Sequence, residues 1–204
     1  MFRANIYSME PLTPVAREAV NDGIGMVAAY MGETVSTREL LVRLPMTQRG
    51  TVNAKRVGYG NLDKLVELHL MAVPLDKGEG EAIGLAGLGR GWSFVDTMHG
   101  AADVMRTTSA HEVAHGLGFV IASSEQADPK SPNHCCDGNC IMHKKVTILM
   151  SESGTGQQTP PSGSASLYGQ YDFCLPCKID LRSKGAHRLA ELRRSRLFSR
   201  RGIK

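Results

Sequence analysis

Two histidines four residues apart, in His111-Glu112-Val113-Ala114-His115, constrain this chain more than any other feature of its 204 residues. At that spacing they stand one turn apart on one face of a helix, so the surrounding segment must be helical for the pair to act together. Imidazoles so placed grip one metal ion. Neutral imidazole suits zinc, which keeps a position open for water. Glu112 lies beside the first histidine, where its carboxylate can take a proton from that water and pass it to a leaving amine. The helical pattern extends from about Ala101 to Leu117, and Gly116 and Gly118 suit a C-terminal cap and a sharp turn.

The five cysteines (135, 136, 140, 174 and 177) fall within one 43-residue window. Met1–Asn5 carries no apolar leader, and clustered cysteines in a chain without one favour metal ligation over disulfides. Free thiols or a single disulfide are the bland alternative. With 42% hydrophobic and 22% charged residues the composition is that of a globular protein. No apolar run reaches eighteen residues, which excludes a spanning helix. The expectation is a cytoplasmic protein without a membrane partner.

Charge is unevenly placed. Lys178–Lys204 holds ten Lys/Arg against Asp180 and Glu191, a balance of +8, whereas residues 1–177 hold 14 basic and 18 acidic groups, a balance of −4. A basic helix over about Leu181–Phe198 is expected. Nucleic acid or another anionic partner is one reading of it, but with Phe198 as its lone aromatic a solvated helix face is favoured.

Thr13-Pro14 reads as a helix start, followed by a helix from Val15 to Met31 that Gly23 and Gly25 weaken. Glu39–Leu44, Lys64–Val73 and Trp92–Thr97 read as strands. Leu75–Gly91 is glycine-rich and reads as loops, but lacks the Gly-Lys-Ser/Thr ending of a phosphate loop. Ser123–Pro132 and Ser151–Gly169 are polar and read as loops. His69 alternates within its strand and reads as a structural residue.

Downstream of the histidine pair stand His134-Cys135, Cys140-Ile141-Met142 and Cys174-Leu175-Pro176-Cys177. With His111, Glu112, His115 and Gly118 this resembles the archaemetzincins, a branch of the metzincin zinc peptidases. Their pattern runs H-E-x-x-H-x-x-G-x-x-H-C-x4-C-x-M, then a spacer, then C-x-x-C. The matching region, 111–177, is about a third of the chain. Two departures stand out. Ile121 holds the place of the family's third histidine, and fifteen residues, 119–133, separate Gly118 from His134. They read as an inserted loop, which costs little closure entropy. The spacer between Met142 and Cys174, at 31 residues, is also long.

The resemblance implies an α/β (α+β) fold, with a small mixed twisted sheet over the active-site helix and a zinc-bound C-terminal part. One compact domain, 1–204, is expected, with the active-site helix in 1–118 and the structural zinc and basic helix in 119–204. Two zincs per chain are implied. His111, His115 and His134 would hold the catalytic one, with Asp128 a rival third ligand. Cys135, Cys140, Cys174 and Cys177 would hold the structural one, with Cys136 a bystander or a substitute for Cys135. Met142 would lie beneath the catalytic metal, Met150 being a rival, and His143 is a remoter oxyanion stabiliser. The strand near Trp92–Thr97 would align an extended peptide, with Gly84-Leu85-Ala86 a weaker match to the edge. The implied activity is peptide-bond hydrolysis with Glu112 as general base and acid. The alternative is a catalytically impaired, zinc-stabilised binding protein that uses its basic C-terminal helix, and a non-peptide amide hydrolase is more remote.

Overall fold

A computed structural model describes residues 2–47, 51–52, 68–75, 84–89, 91–97, 101–119, 124–144, 172–184 and 187. Their elements are β1 (Phe2–Ser8), α1 (Pro14–Tyr30), β2 (Val35–Leu41), β3 (Leu68–Val73), β4 (Gly84–Gly87), β5 (Trp92–Asp96), α2 (Ala102–Gly116), β6 (Ala127–Asp128), β7 (Ser131–Cys135) and α3 (175–184). The main sheet has the order β2-β1-β3-β5-β4. The first four of those strands run parallel, and β4 pairs antiparallel with β5 at the edge. This is the mixed α/β arrangement expected from the sequence.

Helix α1 begins as read, with Thr13 Oγ1 accepting from the Ala16 N–H at 3.2 Å and proline in the first turn. It links the neighbouring parallel strands β1 and β2. Glu39 on β2 fastens the entry to α1, accepting from Ser8 Oγ, Leu12 N–H and Arg17 Nε. The main core, which includes Ile6, Val20, Ile24, Leu70, Val113 and Leu117, packs the two helices against one face of the sheet. Val52, Met71, Val73, Leu75, Trp92 and Phe94 form a second cluster.

Gly23 has a purpose beyond weakening α1. A Cβ there would lie 2.4 Å from the Arg106 carbonyl oxygen and 2.7 Å from Ser109 Cβ, so α1 crosses α2 backbone to backbone at this point. At Gly25 a Cβ would meet nothing within 4 Å. The two glycines therefore respond oppositely to alanine. Gly25→Ala stabilises by about 0.5–1 kcal/mol through helix propensity. Gly23→Ala destabilises by about 1–3 kcal/mol because the crossing must open. Urea midpoints moving in opposite directions would bear this out, and midpoints that both rise would rule out the tight crossing.

Several sequence expectations need correction. Trp92–Thr97 is not the edge strand. β5 is buried at every position and is flanked by β3 and β4, so β4, inside the glycine-rich stretch read as loops, forms the edge. Strand β1 was not expected, although Ala4, Ile6 and Ser8 alternate as buried positions. Ser123–Pro132, read as a loop, contains β6 and the start of β7, a short antiparallel pair with an irregularity at Ala127/Asp128. β2 starts earlier than Glu39, and α3 starts at 175 rather than 181, because Asp172 and Lys178 fix its beginning. Tyr30 donates to Asp172 at 2.7 Å, and Lys178 pairs with the same carboxylate and lies over the Tyr30 ring. Most of the basic segment and the excursion 151–169 lie outside the described residues. No helix among the described residues is long and apolar enough to cross a membrane.

Candidate metal centres

Helix α2 carries no side-chain cap at its start, and residues Thr107 through Gly116 are buried without a break. Packing rather than propensity therefore makes it a helix. Its end is a Schellman motif. Gly118, at φ +85°, donates to the His115 carbonyl at 2.8 Å, and Phe119 donates to the Ala114 carbonyl at 3.0 Å. The turn between β4 and β5 completes the cap, with the Gly89 N–H on the His115 carbonyl (2.9 Å) and the Gly91 N–H on the Gly116 carbonyl (2.8 Å). The histidine-bearing end of α2 is thereby fixed to the sheet edge.

His111, His115 and His134 converge, and their candidate ligand atoms all lie within 4.8 Å of one another. Zinc–nitrogen bonds are about 2.0–2.1 Å, so three donors on this scale suit one ion. The ring centroids stand 4.5, 4.9 and 5.4 Å apart. His111 Nδ1 lies 2.6 Å from the Ile141 carbonyl oxygen. A carbonyl only accepts, so Nδ1 carries the proton and Nε2 keeps its lone pair for a metal. His134 Nδ1 is held by Ser131 Oγ at 2.9 Å.

Electrostatics favours the ligand form. Burial, aided by the neighbouring His134 and His143, pulls His111 down to about 4. Burial and the two other rings of the cluster pull His115 to about 2. Burial, then the nearby Lys144 and His143, lowers His134 as well. All three are neutral near pH 7 and free to bind a cation. Glu112 is buried next to them, and burial raises it to about 8. Directly over it lies Gly84, the first residue of the edge strand, where a Cβ would be 2.5 Å from Glu112 Oε1.

The second cluster comprises Cys135, Cys140, Cys174 and Cys177, whose sulfurs also lie within 4.8 Å of one another. Backbone N–H groups aim at them, from Cys174 (3.3 Å) and Met142 (3.4 Å) to Cys140 and from Asp137 (3.5 Å) to Cys135. A hydrogen bond from Cys177 lowers Cys140 to about 6. Burial lifts Cys135 to about 12, and the shared proton with Cys140 followed by burial raises Cys177. One thiolate forms readily and the rest resist, so a central cation is what lets four thiolates coexist. The donor set fits zinc closed to further ligands.

Other candidates fall into place around these clusters. Asp128 accepts from the Lys130 N–H at 2.9 Å and belongs to neither group. Cys136 is exposed and outside the cysteine cluster. Met142 is buried in the turn that follows the Ile141 carbonyl. His69 stacks on Tyr7, with Nδ1 2.9 Å from its hydroxyl, as a structural residue does. Ile121 and Met150 lie outside the described residues. Sequence reasoning missed the Ile141 carbonyl, and it placed Gly84 at the edge strand without its close approach to Glu112. A backbone acceptor leaves no sequence signal, whereas a glycine inside a strand is a mark of close approach.

No family model and no curated protein matches the sequence. Among solved structures the chain is similar to an archaemetzincin from Methanopyrus kandleri, with TM-score 0.61 and 17% identity over 93% of this chain and 96% of that one. It is also similar to an archaemetzincin from Archaeoglobus fulgidus complexed with malonate, with TM-score 0.54 and 16% identity over 86% of this chain and 98% of the other. At such identities the likeness is one of fold, and it spans nearly the whole of both chains. The chain has the fold of the archaemetzincins, and its histidine and cysteine clusters lie within that fold.

Proposed function

We propose that this protein is a zinc-dependent metallopeptidase that hydrolyses peptide bonds. The observation that carries the reading is the convergence of three neutral histidines beside a buried Glu112, beneath the edge of a sheet. His111, His115 and His134 would hold a catalytic zinc, and the four cysteines a structural one. When bound, the catalytic zinc polarises the scissile carbonyl and makes a water acidic enough to attack near neutral pH. Glu112 accepts the proton of the attacking water and returns it to the leaving nitrogen. Burial keeps the carboxylate basic, and a cation held by the adjacent neutral histidines would draw its pKa down from about 8 towards the working range. The outer edge of β4 offers main-chain groups to an extended peptide, which binds as an added strand. Ile141 keeps His111 in the tautomer that binds through Nε2.

Metal content per chain, measured in wild type and His134→Ala from matched purifications, tests the reading. The expected result is two zincs in wild type and about one in the variant, with cleavage of an unstructured peptide pool lost alongside. Unchanged zinc in a folded His134→Ala protein would overturn the assignment of the third ligand. Metal-loaded wild type without any peptide cleavage would overturn the peptidase reading itself.

A further inference from the structure

The two clusters meet through two peptide bonds. His134 precedes Cys135 on β7, and Cys140 precedes Ile141, whose carbonyl orients His111. Each junction places a cysteine-cluster residue next to a group that the histidine cluster needs. The two segments are tied by the Cys135 N–H on the Met142 carbonyl (2.8 Å), and the second is itself turned by the His143 N–H on the Cys140 carbonyl (2.9 Å) and the Met142 N–H on Cys140 Sγ (3.4 Å). Ile141 and Met142 are packed in the core, but the support of β7, which carries His134, is slight. β6 and β7 make only a short pair, and so small a ribbon is marginal on its own. Gln126 links it to α3, donating to Asp180 at 2.7 Å and lying 3.9 Å from Cys177 Sγ. Cys174 and Cys177 come from beyond the long spacer, so the cysteine cluster joins Cys140 to Cys174 across a sequence separation of 34.

We infer that the four-cysteine cluster is the positioning element of the histidine centre: metal on the cysteines fixes His134 and the Ile141 carbonyl, so metal at either cluster strengthens binding at the other. The inference rests on the reading that both clusters bind metal. With the cysteines empty, the 134–142 segment is held by a few hydrogen bonds and, at Ile141 and Met142, by packing in the core, and the histidine centre must order its His134 end upon binding. With the cysteines filled, that ordering is already done. Outer-shell partners of this kind typically change metal affinity by about 10–100-fold. Thermodynamic linkage requires the effect to be reciprocal, with the same factor in both directions.

The test uses the full chain, stripped of metal under reducing conditions and titrated with cobalt(II) against a competing chelator. Thiolate charge-transfer absorption reports the cysteine cluster, and the remaining ligand-field signal reports the histidines. In wild type the cysteine signal should saturate first. Cys177→Ser, which touches no histidine, should weaken the histidine site about 10–100-fold, consistent with the usual effect of an outer shell. His115→Ala, on the rigid helix α2, should weaken the cysteine site by the same factor. Should Cys177→Ser fail to fold, the His115→Ala arm still measures the coupling. Affinities at one cluster that stay within twofold when the other is removed would overturn the inference and leave the metallopeptidase reading standing. A wild type in which neither cluster takes metal would overturn both.

Discussion

Glu112→Gln should keep its metal and lose peptide hydrolysis by about 10²–10⁴-fold in kcat/KM, the range that removal of a general acid–base normally costs. The substitution is isosteric, so the buried side chain still fills its site under β4. Glu112 is not one of the three converging ligands, so metal content should not change. What the amide cannot do is accept a proton from water. The same variant makes a second, independent prediction for the metal-free protein. Burial raises Glu112 from its ordinary 4.5 to about 8. A folded-state value above the unfolded one contributes stability that is complete at low pH and is lost as pH rises through the folded value. Glutamine carries no such penalty. Metal-free Glu112→Gln should therefore match wild type near pH 4 and become more stable than it by on the order of a few kcal/mol by pH 8. Denaturant melts at both pH values check this. A variant with near-normal hydrolysis would remove Glu112 from the mechanism, whereas a stability difference independent of pH would contradict its burial as an ionisable group.

The features legible in the sequence were those where one residue type is chemically obligatory. Histidines at i and i+4 demand a helix, Gly118 occupies a position at φ +85° that other side chains adopt with strain, and Thr13-Pro14 is a helix start by capping and by φ. His134 was legible despite the long gap because it is joined to Cys135, so a second cluster marks the first. Sheet order was another matter. The run Trp-Ser-Phe-Val-Asp of β5 is buried on both faces, and a short apolar run does not say whether a strand is inner or edge. Gly-Leu-Ala-Gly, the true edge, has almost no β propensity and owes its strand form to β5 and to the end of α2. β7 carries Pro132 and Asn133, which argue locally for a loop, and it is the ties from Gln126 and from the turn around Cys140–Met142 that hold it paired with β6.

Gly84→Ala is the sharpest test of how that edge serves the site. Its added carbon would stand 2.5 Å from Glu112 Oε1, 2.6 Å from Cγ and 2.8 Å from Cδ, well inside contact distance along the whole end of the side chain. Glu112 cannot swing away freely, because the surrounding turn of α2 is buried and its C-terminal carbonyls are held by Gly89 and Gly91. Either the carboxylate or the start of β4 must therefore shift by a large fraction of an ångström. A misplacement on that scale costs on the order of 10²-fold in turnover when the moved group takes part in proton transfer. The expected result is a fall of about that size in kcat/KM with zinc content and fold intact, since the three atoms nearest the new methyl all belong to Glu112 and none to a ligand of either cluster. At Gly87, the other end of the strand, a Cβ would instead meet the Trp92 ring at 2.3 Å. Gly87→Ala should accordingly lower stability through the Trp92 packing and leave the activity of the folded fraction close to wild type. A Gly84→Ala protein that hydrolyses peptides normally would mean that Glu112 is not held against β4 during turnover, and equal losses of activity in both variants would mean that the strand, rather than this one contact, is what catalysis requires.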